Sequence, residues 1–370
     1  MTSDRAGGFD FAAAHDELRA VARSLLGPCS PMLAGGEAIA PDRRALADAG
    51  WFGLEVPETL GGAGATFAET AVVLEELGRV TAAGDAPATL GIGVGALAAL
   101  APTADRDRVL AGVATGALAV AVAVPAADQA VGPVAPLFTA VERGGRLWVD
   151  GQADFVLDAG RADAILLVVG GPGATPGGLI VARGTPGLTV EEQPVLDPSR
   201  RLARVVAHGV AAGGPLLSFA GDPAVAVGRL LDRAATAVAC DSLGLAAAAL
   251  DATVAYAGQR HQFGRPIGSF QAVKHACADM LVEITVSREL LRAAADAVVS
   301  GGDPVAVSRA KSYVTSMAVR VAGQAVQLHG GIGYTWERGL HVHLKRAALN
   351  RSLFGAPAAH RRRLAGRYTS

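Results

Sequence analysis

The alanine-rich run over residues 223–260 constrains this chain more than any other stretch. Alanine is the strongest helix former, and a lone proline at the start is tolerated because the first helical N–H has no intrahelical partner. The pattern predicts one very long helix, stopped near Gly264 and Pro266. Further helical runs follow at 271–299, ended by Ser300-Gly301-Gly302-Asp303-Pro304, and at 305–328, ended by Gly330-Gly331. Shorter ones at 340–353 and 357–366 finish the chain.

The first 110 or so residues also read as helical, with Phe11, Leu18, Val21, Leu25 and Leu26 at helical spacing and a second such pattern over 70–80. In between, from about 118 to 210, the period changes. Short β-rich runs at 118–124, 146–149, 164–169, 179–181, 188–190 and 203–208 are separated by Gly, Pro and Asp, as in a small antiparallel β domain. The expected fold class is α+β, mainly α, with an N-terminal helical domain (1–113), a central antiparallel β domain (114–218) and a C-terminal helical bundle (219–370).

At 370 residues, 51% hydrophobic and 18% charged, the chain has the makings of two or three packed cores and not of a disordered segment. A net charge of −1 gives no whole-protein argument for nucleic acid or an anionic membrane as partner, and neither is expected. One local exception is 338–370, which holds eight Lys or Arg and no acid; a solvated or subunit-facing helix and an attraction for a nucleotide phosphate both remain open there. Cys29, Cys240 and Cys277 are far apart with no ligand spacing, which points to reduced thiols and no metal site. Asp4, Asp10, His15, Asp16 and Glu17 are unlike a signal peptide. The apolar stretch 111–127 is short and broken by Gly112, Gly116 and Pro125, so it reads as buried strand and not as a membrane span. The expected location is the cytoplasm.

Two segments carry chemistry. One is Arg260-His-Gln-Phe263-Gly264-Arg-Pro-Ile267-Gly268-Ser-Phe-Gln271, the other Gln327-Leu-His-Gly330-Gly331-Ile-Gly333. Singly, each is consistent with a helix end and a glycine stop. In this order, and with Leu46-Ala-Asp-Ala-Gly-Trp51, Val73-Leu-Glu-Glu-Leu-Gly78, Leu147-Trp148-Val-Asp-Gly151 and His360–Leu364, the chain resembles the acyl-CoA dehydrogenase family over most of its length. The resemblance implies helices, a β domain and a C-terminal four-helix bundle, FAD as cofactor, and a tetramer in which subunits share the FAD site. It implies that Arg260 reaches the pyrophosphate, where a planar guanidinium suits the task. Phe263 would pack beside the cofactor with Gln271 nearby. Gln327, Gly330 and Gly331 would meet the FAD of a neighbouring subunit, since glycine lacks a blocking Cβ.

The family's reaction removes an α-proton from an acyl-CoA thioester while hydride leaves the β-carbon, so it needs a carboxylate facing the α-carbon. The family's usual Glu falls on Phe354, which cannot take a proton; its backbone N–H remains a candidate to hold the substrate carbonyl. The alternative place, on the long helix, falls on Ala234. Asp241 lies seven residues on, two turns along the same face and about 10 Å away, inside an apolar run. It is the best remaining base, with a structural pairing to Arg or a helix cap as the other reading. Glu337 reads as structural, and His329, His341 and His343 as helix-surface residues. In the β domain, the segment Val124-Pro125-Ala-Ala-Asp128-Gln129-Ala-Val-Gly132 and the segment Phe155-Val-Leu-Asp158 lack the hydroxyls that usually face flavin.

The resemblance thus implies FAD-dependent oxidation of an acyl-CoA to the trans-2-enoyl-CoA, with an electron-transfer flavoprotein as acceptor and a role in lipid metabolism. Two alternatives stand beside it. The chain is one subunit of a heteromeric dehydrogenase whose partner supplies the base, or a non-catalytic relative that binds flavin or CoA.

Overall fold

The computed structural model describes residues 11–27, 33–34, 37–132, 134–170 and 175–366. Cys29, Asp4 and Asp10 lie outside these residues. The long helix forms as expected. Asp222 caps it, its carboxylate accepting from Ala224 N at 2.8 Å, and Pro223 occupies the first turn. We number the helices α1 (Phe11–Leu26), α2 (Arg43–Asp48), α3 (Phe67–Arg79), α4 (Ala86–Ala98), α5 (Ala104–Ala114), α6 (Pro223–Gln259), α7 (Gln271–Ser300), α8 (Pro304–His329), α9 (Leu340–Ser352) and α10 (Pro357–Ala365).

α6 is buried on most sides by α3, α7, α8 and α9. It is the one described helix long and apolar enough to cross a membrane, and it is instead the core of this bundle. Its crossing with α3 depends on two glycines. A Cβ on Gly244 would lie 1.8 Å from Glu75 O, and one on Gly78 2.2 Å from Asp241 O. The two backbones therefore touch directly, which no larger residue permits.

Eight strands lie between the helical parts: β1 (Val120–Ala123), β2 (Phe138–Arg143), β3 (Arg146–Leu157), β4 (Ala164–Gly170), β5 (Pro176–Ala182), β6 (Leu188–Gln193), β7 (Leu202–Ala211) and β8 (Leu217–Ser218). The order is β8-β5-β4-β2-β3-β7-β6, with β1 also on β4. The sheet is mixed and not purely antiparallel. β1 runs parallel to β4 (Val120↔Ala164 to Ala123↔Leu167), and β2 pairs parallel with the end of β4 (Phe138↔Val169). β4 is buried on both faces from Ala164 to Val169, and its uninterrupted Ile-Leu-Leu-Val-Val run is what such a central strand needs. One face of the sheet, with Ile165, Leu167 and Val205, forms its own core; the other, with Val122, Leu166 and Val168, joins the core of the helices.

The stretch 111–127, expected as a strand, is divided. Its start ends α5 and only Val120–Ala123 is strand, because Gly116 takes a left-handed conformation (φ +72°) that turns the chain. Replacing Gly244 with Ala is expected to lower unfolding stability by about 1–3 kcal/mol through forced separation of α3 and α6, readable as a lower urea midpoint with an unchanged slope.

Candidate functional site

The two chemistry-bearing segments meet at one end of the bundle. α6 stops at Arg260, whose N–H still reaches Tyr256 O at 2.8 Å, and the Tyr256 ring stacks on His329 at 4.3 Å and 18°. That stack joins the ends of α6 and α8. A hairpin follows, pairing His261–Gln262 with Arg265–Pro266. Both turn residues, Phe263 and Gly264, have positive φ (51° and 75°), the twist a two-residue hairpin requires. For Phe this conformation is strained, and it holds the ring 91% exposed.

Arg260, Gln271 and Gln327 are exposed on this surface. Arg265 lies over Phe270 at 4.0 Å and Arg338 over Tyr256 at 5.8 Å. Gly330 (φ 63°, ψ −144°) and Gly331 have no described atom within 4 Å of where a Cβ would sit. Internal packing therefore does not require a glycine at either position; only the conformation of Gly330 does. An open glycine backbone beside guanidinium groups and a bare aromatic ring suits a planar heterocycle and a diphosphate arriving from outside the chain.

The inward cleft is different. β1 and its continuation (Val122, Val124, Ala126), the end of β3 (Val156) and α4 (Ile92) face Phe354, and a cavity of only about 10 Å³ remains between them. That is room for one water at most, where a drug-sized ligand needs several hundred Å³. The Phe354 amide is spent. It donates to Ala126 O at 2.8 Å, which corrects the expectation that it is free for a substrate carbonyl. The residues of this cleft do not fit a flavin ring and an acyl thioester, whereas the exposed groups of the outer surface suit a nucleotide diphosphate.

Asp241 is 2% exposed. Its Oδ1 accepts from Arg200 (2.9 Å) and Arg346 (3.0 Å), and its Oδ2 from Asn350 (2.6 Å). Both oxygens are committed, and the residue does not line the residual cavity, so its geometry is that of the structural pairing and not of a base. Ala234 is fully buried. His329, His341 and His343 are buried (5%, 7% and 1%) and not on the surface; the last two lie in the first turn of α9, where Leu340 to His343 are buried on every side. Burial lowers all three imidazoles, His343 to about 4. Glu337 sits in an exposed loop, held below the usual carboxylate range by backbone hydrogen bonding. Among the described residues, Cys240 and Cys277 are free and no group of His, Cys, Asp and Glu is placed to hold a metal.

Behind the cleft, two buried guanidiniums (Arg200, Arg346) already face Asp197 and Asp241. A third carboxylate, Asp158, is therefore surplus charge. Burial raises it from 3.8 to about 6 against the pull of Arg200, and its Oδ2 has no partner among the described residues.

Two family profiles match the chain: the acyl-CoA dehydrogenase N-terminal domain over residues 13–117 and the acyl-CoA dehydrogenase C-terminal domain over residues 224–369. The chain belongs to the acyl-CoA dehydrogenase family. These are oxidoreductases, and the acyl-CoA dehydrogenase IpdE2 of Mycolicibacterium smegmatis is 33% identical over 311 residues, covering 84% of this chain and 82% of that one. A variant of the Tcur3481-Tcur3483 steroid ACAD is 30% identical with a TM-score of 0.82, covering 96% of this chain and 98% of that one. The ChsE4-ChsE5 complex from Mycobacterium tuberculosis matches at 25% identity and a TM-score of 0.83, over 98% of this chain and 99% of that one.

The structure brings the Arg260 and Gln327 segments to one end of the bundle and places Phe354 in the inward cleft. Sequence reasoning missed Ile92, the Tyr256–His329 stack and the partners of Asp241, which come from elements remote in sequence. For Asp158 the pH dependence has a definite sign. A carboxyl raised in the fold costs nothing below pH 4, and its penalty grows between pH 4 and 6 and is full above. Asp158→Asn, tolerated at this φ of +52°, is expected to stabilise the protein by up to about 3 kcal/mol at pH 8, from about two pKa units at 1.36 kcal/mol each. The gain should vanish by pH 4; a gain independent of pH would refute the assignment.

Proposed function

We propose that this acyl-CoA dehydrogenase is one subunit of a heteromeric enzyme and is not catalytic alone. The observation that carries this is the cleft: Phe354, on which the family's usual Glu falls by count, packs into it, its amide is bound to Ala126 O, and about 10 Å³ is left. The reaction of the assembly is α,β-dehydrogenation of an acyl-CoA to the trans-2-enoyl-CoA, and a homologous partner subunit supplies the carboxylate. FAD bound in the partner accepts the hydride. An electron-transfer flavoprotein is the acceptor and the cytoplasm the location.

This chain's own contribution is positional. Arg260 neutralises the pyrophosphate, and Gln327 with the open backbone of Gly330 and Gly331 lets the nucleotide lie against the bundle end. Phe263 and Gln271 close over it and exclude water. Two relatives whose names join two chains, Tcur3481-Tcur3483 and ChsE4-ChsE5, support a two-chain arrangement. The steroid substrate in the first name supports a bulky acyl group.

The test is anaerobic flavin bleaching by a panel of acyl-CoAs, with the chain alone and co-produced with a homologous subunit. Bleaching is expected only in the second case. Bleaching by this chain alone would overturn the proposal. Arg260→Ala in this chain should weaken flavin retention by the pair by about 10- to 100-fold, the loss of one charge-assisted contact. Phe354→Glu should not make the lone chain active, since the turn that carries it remains bound to Ala126.

A further inference from the structure

The turn from Leu353 to Pro357 is held against the segment 126–131 by more than the apolar contact of Phe354. Ala356 N donates to Asp128 Oδ1 at 2.9 Å, and Arg362 pairs with the same carboxylate at 3.6 Å. His360 bridges the turn to α8, its Nε2 donating to Phe354 O at 2.9 Å and its Nδ1 3.2 Å from Ser308 Oγ. Lys311, fully buried on α8, donates to the carbonyls of Asn350 (3.1 Å) and Gly355 (2.9 Å). Phe354 itself is in the left-handed region (φ +53°), a conformation that persists only where its surroundings impose it. Gly355 (φ +93°) fits so closely that a Cβ would lie 2.3 Å from Val131 Cγ2 and 2.9 Å from His360 Nε2.

We propose that these contacts form a built-in clasp, centred on Asp128 and Gly355, that shuts this chain's own cleft against a flavin ring. The inference deepens the subunit reading above and rests on it. It adds that the cleft is not merely short of a base: two backbone amides and a carboxylate hold it closed. Asp128, Lys311 and His360 are positioning residues here, acting through the 353–356 turn and touching no substrate.

Amide hydrogen exchange on the whole chain, in the assembly in which it purifies, with and without added FAD, tests this. In the wild type the amides of Phe354 and Ala356 are expected to be protected in both conditions. Gly355→Ala should reduce that protection by roughly 10- to 100-fold, together with that of residues 126–131, and leave α6 and the sheet unchanged. Should Gly355→Ala unfold the protein globally, Asp128→Ala decides, because it removes only an exposed acceptor. Exchange of the wild-type amides at open-loop rates would overturn the clasp. Loss of their protection on adding FAD would overturn the exclusion, making the turn a lid that flavin opens. Neither result bears on partner-dependent bleaching, so the two readings fail separately.

Discussion

The buried guanidinium of Arg346 is the contact on which the arrangement of the parts depends. It is fully buried on α9, and each of its nitrogens is engaged. Nε donates to Asp197 (2.6 Å) and Nη1 to Asp241 (3.0 Å), while Nη2 reaches Ala82 O (3.1 Å) and Ser199 (O at 3.0 Å, Oγ at 2.5 Å). These partners come from the segment after α3, the link between β6 and β7, and α6. One side chain thus ties the N-terminal helices, the sheet and the bundle together. A buried cation is tolerated only with its hydrogen bonds satisfied, and removing one partner typically costs about 3–5 kcal/mol. Arg346 holds Asp197 below its usual range despite burial, which by itself would push the carboxyl up. Asp241 belongs to this joint, which is why an acid inside an apolar helix does not face the cleft.

What was legible in the sequence follows from the range of the interactions. The limits of α6, α7 and α8 are set by local signals, such as Asp222-Pro223 at one start, Asp303-Pro304 at another, and Gly301 and Gly330 at two ends. The platform around Arg260 and Gln327 was legible for the same reason, since each motif lies at the end of a helix. The parallel pairing of β1 with β4 was not, because 40 or so residues intervene and short apolar runs do not declare a direction. Strand β2 was missed because Phe-Thr-Ala-Val-Glu-Arg alternates only over its first half and ends in exposed charge. Asp241 was misjudged from periodicity alone. Its face of α6 is apolar in sequence, and the arginines that meet it lie 41 residues before it and 105 residues after it.

The outward and inward faces of the site have different physical demands, and the residues at each differ accordingly. A surface suited to a nucleotide needs guanidinium groups, exposed rings and unobstructed backbone, and Arg260, Phe263, Gly330 and Gly331 have that character without help from the interior. A cleft that performs proton abstraction needs a carboxylate in a dry, apolar setting, poised close to neutrality by that setting. Its walls here, Ile92, Val122, Val124 and Val156, are already apolar.

A glutamate in place of Phe354 would face those walls with no cation among them, so its burial would cost the fold on the order of several kcal/mol unless it were protonated or used. Phe354 replaces that cost by close packing. Beside it the backbone amide of residue 354 pairs with Ala126 O and that of Ala356 with Asp128, groups that an open cleft would leave to water or substrate. The side chain that is not a carboxylate and the closure of the cleft therefore meet at one residue. On the subunit reading proposed above, the residue at the counted position of the usual Glu also supplies the contact that makes an empty cleft stable, while the exposed surface at the bundle end stays outside that contact.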